Sequence, residues 1–299
     1  MNQGTSVLTR HAAFLLLCGA GLGLFYDPVV QLLRMSSHSE LYSHIPVIPV
    51  ISLCILIFSR KRIFADLRWG WAGLVFLAVG LAVLLSANRI GGLDKNDYLS
   101  VVMAGAVLWV TGGFVLAYGG KAFREAMFPL LFLIFVIPIP KFILAPFVEL
   151  LQICSAHASH LIFSLTGVPF HRDGFVFALP GITIEVAEQC SGIRSSIALI
   201  ITSVFAGYLF LQKGWSRLVL VLSFFPITVF KNAMRITTLS LLASYVDTRF
   251  ITESWLHSSG GIPFFAVGLA LMAPVLWGLM KWERRGRRQE TVVRRQNEF

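Results

Sequence analysis

Glu188-Gln189-Cys190-Ser191-Gly192-Ile193-Arg194-Ser195-Ser196 runs directly into the apolar stretch Ile197-Ala198-Leu199-Ile200-Ile201. Before it stands Gly181-Ile182-Thr183-Ile184-Glu185-Val186, a polar, strand-like segment. A cysteine at that junction sits at the first turn of an apolar helix, where a membrane span begins. The change from short alternating segments to a long apolar run fixes the reading of the whole chain as helices in a bilayer.

Composition agrees. Of 299 residues, 56% are hydrophobic and only 13% are charged, about half the charged fraction of a soluble domain. Mean hydropathy is +0.76. The fold class is therefore an all-α polytopic membrane protein, with about eight transmembrane helices, an interfacial helix and a small strand-like segment before Cys190. One integral-membrane domain is expected over residues 1–280, followed by a basic cytoplasmic tail over 281–299.

The apolar blocks fall at His11–Leu33, Ile45–Ser59, Trp69–Ala87, Tyr98–Tyr118, Met127–Pro140, Ile193–Leu211, Leu218–Met234 and Gly261–Met280. Asp27-Pro28 interrupts the first, so its span should end near Phe25. The N-terminal run lacks a small-residue cleavage site and further spans follow, so it reads as a span and not as a cleaved leader. Lys141–Leu165 is broken by Glu149, Gln152, His157 and His160 and reads as a helix lying in the interface. Phe175-Val176-Phe177 and Ile182-Thr183-Ile184 should form a hairpin around Pro180-Gly181.

The net charge of +10 is not spread evenly. The tail from Lys281 holds seven Lys/Arg against three Glu. With the N-terminus inside, the inside loops sum to a strong positive charge and the outside loops to a slightly negative one. This is the positive-inside pattern for N-in, C-in, and it holds if Lys141–Leu165 does not cross. Basic charge placed beside spans argues against nucleic acid as a partner and for a lipid bilayer.

Of the four cysteines, Cys18 and Cys54 fall inside predicted spans and Cys154 in the interfacial helix. No cysteine or histidine spacing implies a disulfide framework, a metal or another cofactor. His157 and His160 lack a third ligand at a fitting spacing. Gly19 and Gly23 form a GxxxG-like pair suited to helix packing.

In this topology three separate turns deliver Cys190, Arg235 and His257 to one membrane face. The loop with Tyr42 and His44 faces the same side. A thiolate is favoured at a helix N-terminus and beside a cation, so Arg194 or Arg235 could activate Cys190. Ser191 and Gly192 offer backbone N–H groups to an oxyanion. His257 has the chemistry of a general base and acid. Taken singly, Cys190 is more often a structural filler at a span boundary, Arg235 a snorkelling anchor and His257 a loop residue. Lys231, one turn before Arg235, reads as a second anchor. Residue patterns alone leave an enzyme and a transporter or polysaccharide-export subunit evenly weighed. A membrane acyltransferase would share the Cys/His chemistry.

The Cys190-Ser191-Gly192-Ile193-Arg194-Ser195 stretch resembles the signature of the exosortase/archaeosortase family. So do Asn232-Ala233-Met234-Arg235, as an N-x-x-R segment, and His257-Ser258-Ser259-Gly260 before the last span. Tyr42-Ser43-His44, Phe132 to Pro140 and Leu165 to Pro169 also match, so the resemblance covers roughly Tyr42 to Met280. It implies a multi-pass cysteine protease or transpeptidase of the bacterial inner membrane, with its active site facing the periplasm. Its substrates would be secreted proteins bearing a C-terminal sorting signal: a Pro-Glu-Pro-type motif, a transmembrane helix and a basic tail. Cleavage would pass through a thioester, with an amine or lipid as acceptor. The resemblance implies Cys190 as nucleophile, Arg235 as stabiliser of the thiolate or oxyanion, and His257 as general acid/base. Asn232, Tyr42 and His44 match patterned positions.

Overall fold

The computed structural model describes residues 3–89, 91–186, 192–247 and 261–296. The chain forms two compact units, Met1–Leu144 and Ala145–Phe299.

The first unit is helical. α1 (Gln3–Leu24) and α2 (Tyr26–His38) meet at Phe25, where Asp27-Pro28 was expected to end the span. A 3-10 turn over Glu40–Tyr42 leads into α3 (Val47–Phe58) and α4 (Arg60–Ile63). α5 (Gly73–Arg89) and α6 (Lys95–Glu125) pack along their length, and α7 (Met127–Phe132) ends in a 3-10 turn over Leu133–Val136. α6 is interrupted at Gly119, whose φ is 86°.

Small residues let α5 and α6 approach closely. A Cβ added at Gly73 would lie 2.5 Å from the Gly112 carbonyl oxygen, and one at Gly80 would lie 2.7 Å from that of Gly105. The reverse contacts are equally tight, 2.9 Å from Gly112 to the Gly73 oxygen and from Gly105 to the Gly80 oxygen. This is the close helix crossing that glycine permits in an apolar solvent. Gly19 and Gly23 do not play that part: an added Cβ at either meets nothing within 4 Å. Between them, Gly21 faces the Trp109 ring.

α8 (Lys141–Thr166) leads into the second unit. β1 (His171–Asp173), β2 (Val176–Leu179) and β3 (Ile182–Glu185) form an antiparallel sheet in that order. The expected hairpin is present, with Phe177 opposite Ile184 and Leu179 opposite Ile182. Its turn is Pro180-Gly181, with Gly181 at φ 79°, as a type II turn requires. Phe177 is buried against Phe163 and Phe170.

Then follow α9 (Ile193–Phe210), α10 (Gly214–Leu222), α11 (Phe224–Tyr245) and α12 (Gly261–Gln296). Leu199, Ala206, Leu211, Leu220 and Met272 make a core among α9, α10 and α12. The buried Glu283 carboxylate accepts from the backbone N–H groups of Gln212 (3.0 Å) and Lys213 (2.9 Å). It thereby ties the basic part of α12 to the α9–α10 turn.

Six stretches of described helix are long and apolar enough to cross a membrane: Val7–Leu24, Lys95–Glu125, Lys141–Thr166, Ile193–Phe210, Gly214–Tyr245 and Pro263–Gly286. Val47–Phe58, Gly73–Arg89 and Met127–Val136 are shorter apolar helices. Twelve residues of α3 span only about 18 Å, against a hydrocarbon core of about 30 Å.

Two features differ from the sequence reading. α8, expected in the interface, has the length and composition of a span. Its polar residues divide between faces: Gln152, Ser155 and Ser159 are buried beside Leu151, Ala156 and Phe163, whereas Glu149, His157 and His160 are exposed. α11 also continues ten residues past Arg235, because Ile236, Leu239 and Ala243 keep one face buried. Arg235 therefore stands mid-helix and does not close the span.

Candidate active site

α11 carries Lys231, Asn232 and Arg235 within little more than one turn. Residues four apart share a helix face, so Lys231 and Arg235 place two cations on one side of α11. Arg235 is half-buried and Asn232 buried. α9 begins immediately after Gly192, with Arg194, half-buried, in its first turn.

Gly192 is the contact between these two elements. It adopts a left-handed conformation, φ 71° and ψ 18°, where a side chain is strained. An added Cβ would also come 2.9 Å from Asn232 Oδ1 and 3.1 Å from its Cγ. Asn232 thus occupies the space that a side chain at residue 192 would need. On its other side Asn232 Nδ2 donates to Ser155 Oγ of α8 at 3.0 Å.

The Gly192 carbonyl collects three donors: Ser195 Oγ at 3.0 Å, Ser196 Oγ at 2.7 Å and the Ser196 backbone N–H at 3.0 Å. Lys231 Nζ donates in turn to Ser195 Oγ. At the other end, Gln152 Nε2 donates to the Val186 carbonyl at 2.6 Å, and the Val186 N–H donates to the Phe175 carbonyl at 2.9 Å. Residues 186 and 192 are therefore both pinned to the framework, one by α8 and the sheet, the other by α11.

Cys190, Ser191 and His257 lie outside the described residues. Cys190 is two positions from Gly192, so the clamp on Gly192 and the N-terminus of α9 sit beside it in the chain. A helix N-terminus offers first-turn amides and partial positive charge, the environment that favours a thiolate or an oxyanion.

Gln152, Ser155, Ser195 and Ser196 enter the site only with the structure. The one available signal was polar residues recurring on the buried faces of otherwise apolar helices. Lys231 was read as an anchor, yet it is 1% exposed.

A model of the transmembrane exosortase family (Exosortase_EpsH) matches residues 35–274. The chain belongs to this family. The match takes in the Gly192 clamp, all of α8 to α11 and the positions of Cys190 and His257. No curated protein and no solved structure matches this exosortase chain.

Tyr42 and His44 belong to the first unit. Tyr42 is buried, and its hydroxyl donates to Asn96 Oδ1 at 2.6 Å. Burial, and then the charges of Asp97 and Asp94, push its pKa up to about 12, so the hydroxyl stays a donor. Asn96 Nδ2 donates to the Ile139 carbonyl at 2.9 Å, and the Lys141 backbone N–H donates to Asp97 Oδ1 at 2.8 Å. Lys141 Nζ pairs with Asp94 at 3.1 Å and holds that carboxyl below its ordinary range. Burial lowers the pKa of His44, partly offset by backbone hydrogen bonds at Leu41 and Phe135. Tyr42 therefore anchors the 3-10 turn to the start of α6 and the end of the proline segment. Among the described residues, no three His, Cys, Asp or Glu are grouped to hold a metal ion.

Proposed function

We propose that this exosortase is a cysteine peptidase of the transpeptidase type, acting on secreted proteins that carry a C-terminal sorting helix. The observation that carries this reading is the contact of Gly192 with Asn232. It supports a single site built from the Cys190-Ser191-Gly192 stretch and the Asn232-to-Arg235 segment, two stretches forty residues apart in sequence.

In this mechanism the Cys190 thiolate, favoured by the α9 N-terminus and by Arg235, attacks the carbonyl carbon of the scissile peptide bond. The tetrahedral oxyanion is held by first-turn amides and by the Arg235 guanidinium. His257, having taken the thiol proton, gives it to the departing amine, and the C–N bond breaks. The thioester then passes to water or to an amine acceptor, with His257 removing that nucleophile's proton and the Cys190 sulfur leaving. On this reading the reaction lies on the outer face of the inner membrane; N- and C-termini inside go with it only where α8 does not cross. Residues 1–280 act as the integral-membrane domain and 281–299 as its basic tail.

The test is processing of a secreted protein ending in a Pro-Glu-Pro-type motif, a transmembrane helix and a basic tail. Wild type should shorten it, and Cys190→Ala should leave it full length while accumulating normally in the membrane. Normal processing by Cys190→Ala would sink the reading.

A further inference from the structure

Lysine on a membrane helix ordinarily runs its alkyl chain outward and keeps the ammonium in the headgroup region. Lys231 does the opposite. It is 1% exposed, and its Cδ lies against Gly268 of α12, where an added Cβ would come within 3.2 Å. Among the described residues no carboxylate pairs with it. Its hydrogen-bond partner among the described residues is Ser195 Oγ. Arg235 stands one turn further along the same face. A buried amine with a single hydroxyl partner and a second cation nearby is costly.

The Lys231 ammonium is the first donor of a chain: Lys231 Nζ to Ser195 Oγ, then Ser195 Oγ to the Gly192 carbonyl. The next residue on α11, Asn232, presses on the Gly192 Cα and is itself held by Ser155. Two consecutive residues of α11 thus grip one glycine, Lys231 through its carbonyl and Asn232 at its Cα. Gly192 is two residues from Cys190. A hydroxyl donor polarised by a cation makes a stronger bond to its acceptor than a neutral one.

We propose that Lys231 is a positioning residue that acts through Ser195 on Gly192 and so fixes the start of α9, two residues along the chain from Cys190. The inference rests on the reading of Cys190 as the nucleophile. Lys231 is not assigned a contact with substrate or with the reacting atoms.

The test is the rate at which iodoacetamide alkylates Cys190, measured by mass spectrometry on the full chain in detergent, with Cys154 of the same molecule as internal standard. In wild type, Cys190 should react faster than Cys154. Lys231→Met keeps the length of the side chain and removes the ammonium. It should slow Cys190 by about tenfold or more, as expected when a thiol moves off a helix N-terminus and its thiolate fraction falls by about one pKa unit, while the Cys154 rate and thermal unfolding stay at wild-type values. Lys231→Arg should recover part of the rate, which a merely structural lysine would not require. Ser195→Ala breaks the same chain from the other end and should move Cys190 in the same direction. If Lys231→Met does not accumulate, Ser195→Ala decides. A fast wild-type Cys190 that stays equally fast in these variants overturns the role of Lys231 and leaves the nucleophile standing. A wild-type Cys190 no faster than Cys154 removes the nucleophile reading, and the role of Lys231 with it.

Discussion

The two units bury polar groups in different ways. In the first, the buried Arg10, Ser36, Ser52 and Ser100 each reach a main-chain carbonyl: those of Ala117, Tyr42, Pro129 and Asn96. Ser36 and Ser100 do so within a few residues, Arg10 and Ser52 across helices. The first unit also has the side-chain pair Tyr42–Asn96; in the second, two such pairs, Lys231–Ser195 and Asn232–Ser155, involve neighbouring residues of one helix. Ser159, Thr228 and Thr237 also bury hydroxyls with no partner among the described residues. A serine bonded to a carbonyl is a way to satisfy a backbone. A lysine and an asparagine aimed at one glycine fix the conformation of a particular turn, and that expense in buried polarity is found where geometry has to be specified.

The difference can be broken by substitution. The largest effect is expected at Gly192→Ala, which forces a side chain into a left-handed residue and onto Asn232. Processing should fall by about a hundredfold, for a stability loss of only about 1–2 kcal/mol, read from substrate cleavage beside thermal unfolding. Full processing would show that the clamp is not part of the site.

Gly112→Val should have the reverse profile. Its side chain would meet the Gly73 carbonyl and Leu77, at a cost of about 1–3 kcal/mol. Accumulation in the membrane should drop while the Cys190 alkylation rate per folded molecule stays unchanged. A slowed Cys190 would mean that the first unit shapes the site as well.

Tyr42→Phe is smaller again. Losing the bond to Asn96 should cost about 0.5–1.5 kcal/mol. Because the folded-state pKa of Tyr42 is raised, its contribution is complete below the ordinary value of 10.0 and is lost as pH rises through about 12. Wild type should therefore lose stability over that window and Tyr42→Phe should not, as seen in unfolding against pH. Gly19→Ala, with open space around the new methyl, should stay within about 0.5 kcal/mol of wild type.

The fold was legible where a local rule governs. Apolar blocks gave the helices, Pro180-Gly181 the hairpin and Asp27-Pro28 the break after α1. The features that escaped depend on partners far away in sequence. Gly73 and Gly80 are unremarkable until Gly105 and Gly112 lie against them, whereas Gly19 and Gly23 have the packing spacing and no partner. Lys231 and a snorkelling anchor have the same sequence signature. Direction distinguishes them, and Ser195 and Gly268 on other helices set that direction. α8 resisted assignment because its polar residues serve two opposite faces, which a one-dimensional count averages. The order of Cys190, Asn232, Arg235 and His257 was readable. The polar framework of Gln152, Ser155 and Ser196 was not, since serine on a membrane helix most often bonds its own backbone.

The central claim is that Cys190 is a nucleophile held by this framework. Its most direct measurement is mass spectrometry of the full chain after incubation with a secreted protein bearing a C-terminal sorting helix, looking for acyl groups on cysteine. The account predicts a thioester between Cys190 and the truncated substrate in wild type, absent from Cys190→Ala and released by hydroxylamine. Cleaved substrate with no adduct on Cys190, and equal cleavage by Cys190→Ala, would contradict it.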